Sequence, residues 1–204
     1  MKVTVAIPTH NRSQTLTLTL DSLRQLNTGP EIDLDCLVVD NNSSDATPAV
    51  VEAFARTAPF AVRRVLEPRQ GSSFARNRAV HEAQGEMIFF IDDDVIVEAD
   101  WAAQLLAEIR RRQLDAACGL VLAQWQAPRP PWLDVNIYGK LAVHPEQSTP
   151  PEKLSQYFSA NVGFTRECFS RFGLFRELRA SWNHACWSEV WFRTSSMMIR
   201  IPRL

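Results

Sequence analysis

The 204-residue chain reads as an α/β protein: a mostly parallel sheet with helices on both faces. Two observations predict this. Short apolar, β-branched runs alternate with longer stretches of helical periodicity from the start to about residue 123. The run "MIFFI", residues 87–91, is unbroken by any polar residue, which suits a central strand covered on both sides. With 46% hydrophobic residues the chain can bury a sizeable core, and its length fits one domain or little more.

Taken in order, "KVTVAIP" is a strand that ends at Pro8. "RSQTLTLTLDSLRQLN" follows as a helix, because Leu16, Leu20 and Leu23 fall on one face and "NTGP" closes it. "LDCLVVD" is the second strand, and "SSDATPAVVEAFAR" opens on capping residues and continues as a helix. "AVRRVLEP" is a weaker strand on account of its two arginines. "SSFARNRAVHEAQ" is a helix with Ser72 or Ser73 as its cap. "EMIFFID" is the fourth strand. "ADWAAQLLAEIRRRQ" is the fourth helix, with its basic triplet at the C-terminal end where the dipole favours cations and with Trp101 packed inside it. "DAACGLVLA" is the fifth strand. From about residue 124, "QWQAPRPPWLDVN" and "HPEQSTPPEK" are rich in proline and read as irregular chain over the sheet edge, an acceptor loop. "YFSANVGFTRECFSRFGLF" returns to strand and short helix, and residues 176–204 have no assignable period.

A formal charge of -1 gives no general attraction to nucleic acid or to an acidic membrane surface. The four cysteines are scattered without a CxxC pair, which argues against zinc and for reduced, buried thiols in the cytoplasm. No window of about 18 apolar residues is present, so no transmembrane helix is expected, although work at the inner face of a membrane remains compatible.

In a parallel sheet, ligands sit outside the carboxyl ends of the strands. The loops there carry "PTHNR", "DNNSSD", "PRQGSSFARN" and "DDD". Asp40 can accept a hydrogen bond from a ligand, or cap the turn that follows it. Gly71 allows close backbone approach at a helix start that offers N–H groups to an anion, and Arg76 can add a charge-assisted bond. Arg12, at a helix start, opposes the dipole and so calls for a phosphate or an acid partner. Asn77 is expected to tie loops together, and His10 to pack or cap locally. Three aspartates directly after a buried strand are explained poorly by an acidic turn alone. A divalent cation between the carboxylates and a diphosphate would remove the repulsion.

The ordered set "VAIPTHNR", "VVDNNSSDAT", "GSSFARN" and "FFIDDDV" resembles family 2 glycosyltransferases, strongly over residues 1–122 and again at 157–175. The resemblance implies a GT-A fold, a nucleoside-diphosphate-sugar donor with a UDP-sugar favoured, Mg²⁺ or Mn²⁺, inversion at the anomeric carbon, and a glycan or lipid-linked acceptor. It assigns residues 1–122 to the donor and 123–204 to the acceptor side. Pro8, Thr9, Arg12, Asp40, Arg76, Asp92 and Asp93 become donor-binding residues. Asp94, with Asp92, becomes the metal end, Asp92 acting on the ribose or a metal-bound water. Alternation in an extended segment turns Asp92 and Asp94 one way and Asp93 the other, toward sugar or solvent.

The family's C-terminal acidic pair, which supplies the base, is absent from 176–204. Glu189 is the remaining candidate base, with His184 a weaker one. Donor binding without transfer is the alternative function. A shift of reading frame after about Phe175 would restore a glycine and an acidic cluster, which the nucleotide sequence decides. Trp125, Trp132, Trp182, Trp187 and Trp191 suit an acceptor site or packing. A nucleotidyltransferase is disfavoured because "PTHNRS" lacks the glycine such a phosphate loop needs.

Overall fold

The computed structural model describes residues 1–124, 159–177 and 198–199. Seven strands form one sheet: β1 (Lys2–Thr9), β2 (Asp33–Asp40), β3 (Ala61–Leu66), β4 (Met87–Ile91), β5 (Ala116–Gly119), β6 (Asn161–Thr165) and β7 (Met198–Ile199). Their order is β3-β2-β1-β4-β6-β5-β7. β1 to β4 run parallel, and β6 lies antiparallel between β4 and β5. The helices are α1 (Ser13–Leu23), α2 (Thr47–Ala55), α3 (Ser72–Glu82), α4 (Trp101–Arg112) and α5 (Arg166–Phe172). Among the described residues, no helix is long and apolar enough to cross a membrane.

The period of two along each strand divides the core between the faces. Val3, Val5 and Ile7 of β1, Cys36 and Val38 of β2, and Phe89 and Ile91 of β4 pack with α1, α2 and α4. The alternate residues Ala6, Leu37, Val39, Ile88 and Phe90 pack with α3 and α5 on the other side. β4 is buried at every position, as a strand covered on both faces must be. β3, with Arg63 and Arg64, lies at the sheet edge, where charged side chains discourage further pairing. Trp101 is buried in α4, edge-on to Phe89, and its indole N–H donates to Asn161 Oδ1 at 2.8 Å.

Three expectations need correction. β1 continues through Pro8 to Thr9; its ladder to β4 ends at Ala6, so a residue without N–H interrupts nothing on that side. Neither Ser72 nor Ser73 caps α3. The cap position is Gly71 at φ 143°, in the left-handed half of backbone space, where a Cβ would meet the Phe74 ring at 3.0 Å. The extended run after residue 115 is shorter than predicted and ends at Gly119.

Gly163 of β6 stands opposite Phe89 of β4 in the antiparallel ladder. A Cβ there would lie 2.7 Å from two carbons of the Phe89 ring and 3.0 Å from Leu105, both fully buried. Gly163→Ala is therefore expected to lower stability by about 1–3 kcal/mol through overpacking. Urea unfolding checks it, as a lower midpoint at unchanged slope.

Candidate active site

Every loop singled out above does meet at one edge of the sheet. β1 delivers Thr9 to Arg12, β2 delivers Asp40 and Asn41, β3 leads to Glu67 and Gly71, and β4 ends at the three aspartates. β6 runs the other way, so its start, Ser159 to Asn161, joins the same edge.

The chain leaves the strand at Ile91 and turns, with Val95 N–H donating to the Asp92 carbonyl at 3.3 Å, so the aspartates lie beyond the strand. Each then has its own partner. Asp92 Oδ1 accepts from Arg76 Nη2 at 2.9 Å, and Arg76 also reaches Ser159 Oγ at 3.2 Å. Asp93 is buried rather than facing solvent; its Oδ2 accepts the Thr9 hydroxyl at 2.7 Å, and Arg12 stands 3.5 Å from its other oxygen. Asp94 lies at the rim and accepts from Arg12 Nη1 at 2.6 Å. Burial pushes the Asp93 carboxyl up to about 6; the neighbouring acids add to this, and Thr9 and Arg12 oppose it. Arg12, whose place at a helix start called for an acid or a phosphate, has found two acids.

Asp40 is 1% exposed. Its Oδ1 caps the turn by accepting from Ser43 N–H at 2.8 Å, and its Oδ2 pairs with Arg64 at 3.0 Å. Thr9 and Pro8 are likewise buried. Asn77 behaves as read: its amide donates to the Phe175 carbonyl and accepts from the Phe175 N–H, both at 2.9 Å, fastening the chain after α5 to α3. His10 packs locally, with Nδ1 2.9 Å from the Asn41 carbonyl.

Sequence reasoning missed the residues that hold the loops. Asn41 is fully buried; its amide donates to the carbonyls of Glu67 and Arg69 at 2.8 and 2.7 Å and accepts from Gly71 N–H at 2.8 Å. Glu67 is buried and takes both the backbone and the guanidinium of Arg69, whose bonds hold its carboxyl below the ordinary range. Asp45 accepts from Ser13 N–H at 2.9 Å and Thr47 N–H at 3.0 Å, so one carboxylate serves the starts of both α1 and α2. No periodicity signals such residues; a run of Asn, Ser and Asp says only that a turn is present.

Although burial works against its charge, bonds from Thr47 and Ser13 hold the Asp45 carboxyl well below its ordinary 3.8. Its contribution is thus complete above that value and is lost as pH falls through the depressed one. Asp45→Ala is expected to cost about 0.5–1 kcal/mol near neutrality, the low end for a cap because the carboxylate is exposed. The gap between wild type and variant should narrow when urea midpoints are followed from about pH 5 to about pH 2.

Among the described residues, no group of three His, Cys, Asp or Glu side chains converges as a metal cage. The acidic turn instead fits a cation held by one or two carboxylates and completed by phosphate oxygens. Glu189, His184, the tryptophans from Trp125 onward and the proline-rich segment lie outside the described residues.

The sequence model for glycosyl transferase family 2 matches residues 4–179. The chain belongs to this family. Succinoglycan biosynthesis protein ExoM of Rhizobium meliloti is 30% identical over 133 residues, 65% of this chain and 43% of ExoM. Poly(ribitol-phosphate) beta-N-acetylglucosaminyltransferase TarS of Staphylococcus aureus is 29% identical over 115 residues, 56% of this chain and 20% of TarS. The chain thus spans less than half the length of these curated relatives. Among solved structures, TarS residues 1–349 superpose with a TM-score of 0.66 at 20% identity, covering 90% of this chain and 53% of that one. The mannosyltransferase PcManGT of Pyrobaculum calidifontis, in complex with GDP-Man and Mn²⁺, gives 0.65 at 26% identity, covering 85% and 47%. The fold of this family 2 chain is therefore the GT-A fold that its motifs implied.

Proposed function

We propose that this chain transfers a sugar from a nucleoside-diphosphate donor, with a UDP-sugar favoured, to a glycan or lipid-linked acceptor, with inversion. Residues 1–122 form the donor half, and 123–204 the acceptor side. The observation that carries the reading is the edge where four parallel strands end: a part-exposed carboxylate, Asp94, stands there paired with Arg12, and its neighbour Asp92 is paired with Arg76 of α3. Membership of the family and the Mn²⁺ and GDP-Man in the PcManGT structure support it.

In this reading Asp94 holds Mg²⁺ or Mn²⁺ directly, and Asp92 acts on the ribose or on a water of the cation. A divalent cation there would neutralise charge on the diphosphate leaving group. Arg76 holds Asp92 in place, Thr9 holds Asp93, and Pro8 with Thr9 supports the base site from beneath. Asp40, paired with Arg64, is the acceptor for a base N–H. The acceptor hydroxyl oxygen bonds to the anomeric carbon as the bond to the diphosphate oxygen breaks, and the hydroxyl proton passes to a carboxylate base. Glu189 is the candidate for that base.

Calorimetric titration of UDP with and without Mn²⁺, followed by assay of UDP release from UDP-sugars, tests the reading. Binding with release supports transfer. Binding without release supports the alternative, a donor-binding protein that does not transfer the sugar. Absence of binding under both conditions refutes both.

A further inference from the structure

Three adjacent aspartates need counter-charge, and two arginines supply it in different ways. Arg76 is a fixed partner: its side chain is 8% exposed and is held by Asp92 and by Ser159 at the start of β6. Arg12 differs in each respect. It occupies the N-terminal cap position of α1, where the dipole disfavours a cation and its side chain makes no capping bond. Its side chain is 47% exposed, and its nearer partner Asp94 is 43% exposed. An ion pair with both ends in solvent is weak, and the 3.5 Å approach to Asp93 adds attraction without a hydrogen bond. Arg12 is therefore the counter-ion that can leave.

We propose that Arg12 is an internal stand-in for the divalent cation, neutralising Asp94 while the donor is absent and giving way when the cation and diphosphate arrive. This rests on the assignment of Asp94 as the cation ligand. The cation alone must break the Arg12–Asp94 pair and leaves the guanidinium at a helix start with only its longer contact to Asp93. The cation with a diphosphate breaks the same pair but offers the guanidinium phosphate oxygens nearby. Cation and nucleotide binding are thereby coupled: each is weaker alone than in the presence of the other.

The test is Mn²⁺ binding to the full chain, followed by electron paramagnetic resonance of the free ion, first alone and then with UDP. Arg12→Gln is expected to bind Mn²⁺ alone about three- to tenfold more tightly than wild type and to gain less from UDP. Arg12→Lys, which keeps the charge, should stay close to wild type. Equal or weaker Mn²⁺ affinity in Arg12→Gln, with UDP-dependent binding intact in the wild type, overturns the exchange and leaves the Asp94 assignment standing. No Mn²⁺ binding to the wild type even with UDP overturns both. A measurement independent of the glutamine variant's folding is the Arg12 Nε resonance of the wild type, assigned by its loss in Arg12→Lys. It should shift when Mg²⁺ and UDP are added together, and an unmoved resonance contradicts the exchange.

Discussion

Asp94→Ala is expected to abolish cation-dependent donor binding, lowering UDP affinity in Mn²⁺ by about a hundredfold or more, while leaving the fold intact. The two halves of this expectation have separate physical grounds. The side chain is 43% exposed, and its partner, Arg12, is more exposed still, so little native stability depends on it. The same exposure makes it the carboxylate of the three best able to reach a ligand: Asp93 is buried against Thr9, and Asp92 is engaged by a buried arginine. Titration calorimetry with and without Mn²⁺, paired with thermal unfolding, separates the two effects. Unchanged affinity in a folded variant would refute the metal assignment.

Asn41→Ala should do the reverse, damaging stability first and binding as a consequence. The side chain is fully buried and makes three bonds across two loops. Alanine leaves two carbonyls and the Gly71 N–H without a partner inside the protein, each worth about 1–3 kcal/mol. An overall loss of about 3–5 kcal/mol is expected after relaxation, a fall in Tm on the order of 10 °C. Asn41→Asp should be no better, since an oxygen would replace the amide nitrogen against the carbonyls of Glu67 and Arg69. A scanning calorimetry midpoint within about 2 °C of wild type in either variant would show that the loops hold without it.

The sheet was legible because its signal is repeated: short apolar, β-branched runs alternate through the first half of the chain with longer stretches that open on capping residues or carry apolar residues at helical spacing. The site was legible where chemistry is concentrated, as in "DDD" and "GSSFARN", and Arg12 was legible because a cation at a helix start is an anomaly that asks for a partner. What escaped was partnership. Nothing in "DNNSSD" distinguishes Asn41, which is buried and bonds across loops, from Asn42, which is exposed with φ 63°. Nor could alternation place the aspartates, since that rule holds only while the chain is a strand, and here the strand stops at Ile91.

The reversed direction of β6 has an evolutionary corollary. β5 ends and β6 begins at the same rim, with Asn161 Nδ2 donating to the Leu120 carbonyl at 3.2 Å and its Oδ1 anchored by Trp101. The chain between Leu120 and Ser159 thus departs from and re-enters the sheet through one clamped doorway beside the donor loops. Lengthening a tethered segment of this kind costs only about 0.6 kcal/mol per doubling. In the proposed reading, the length of that segment can therefore vary at small cost to the strands that carry the donor loops.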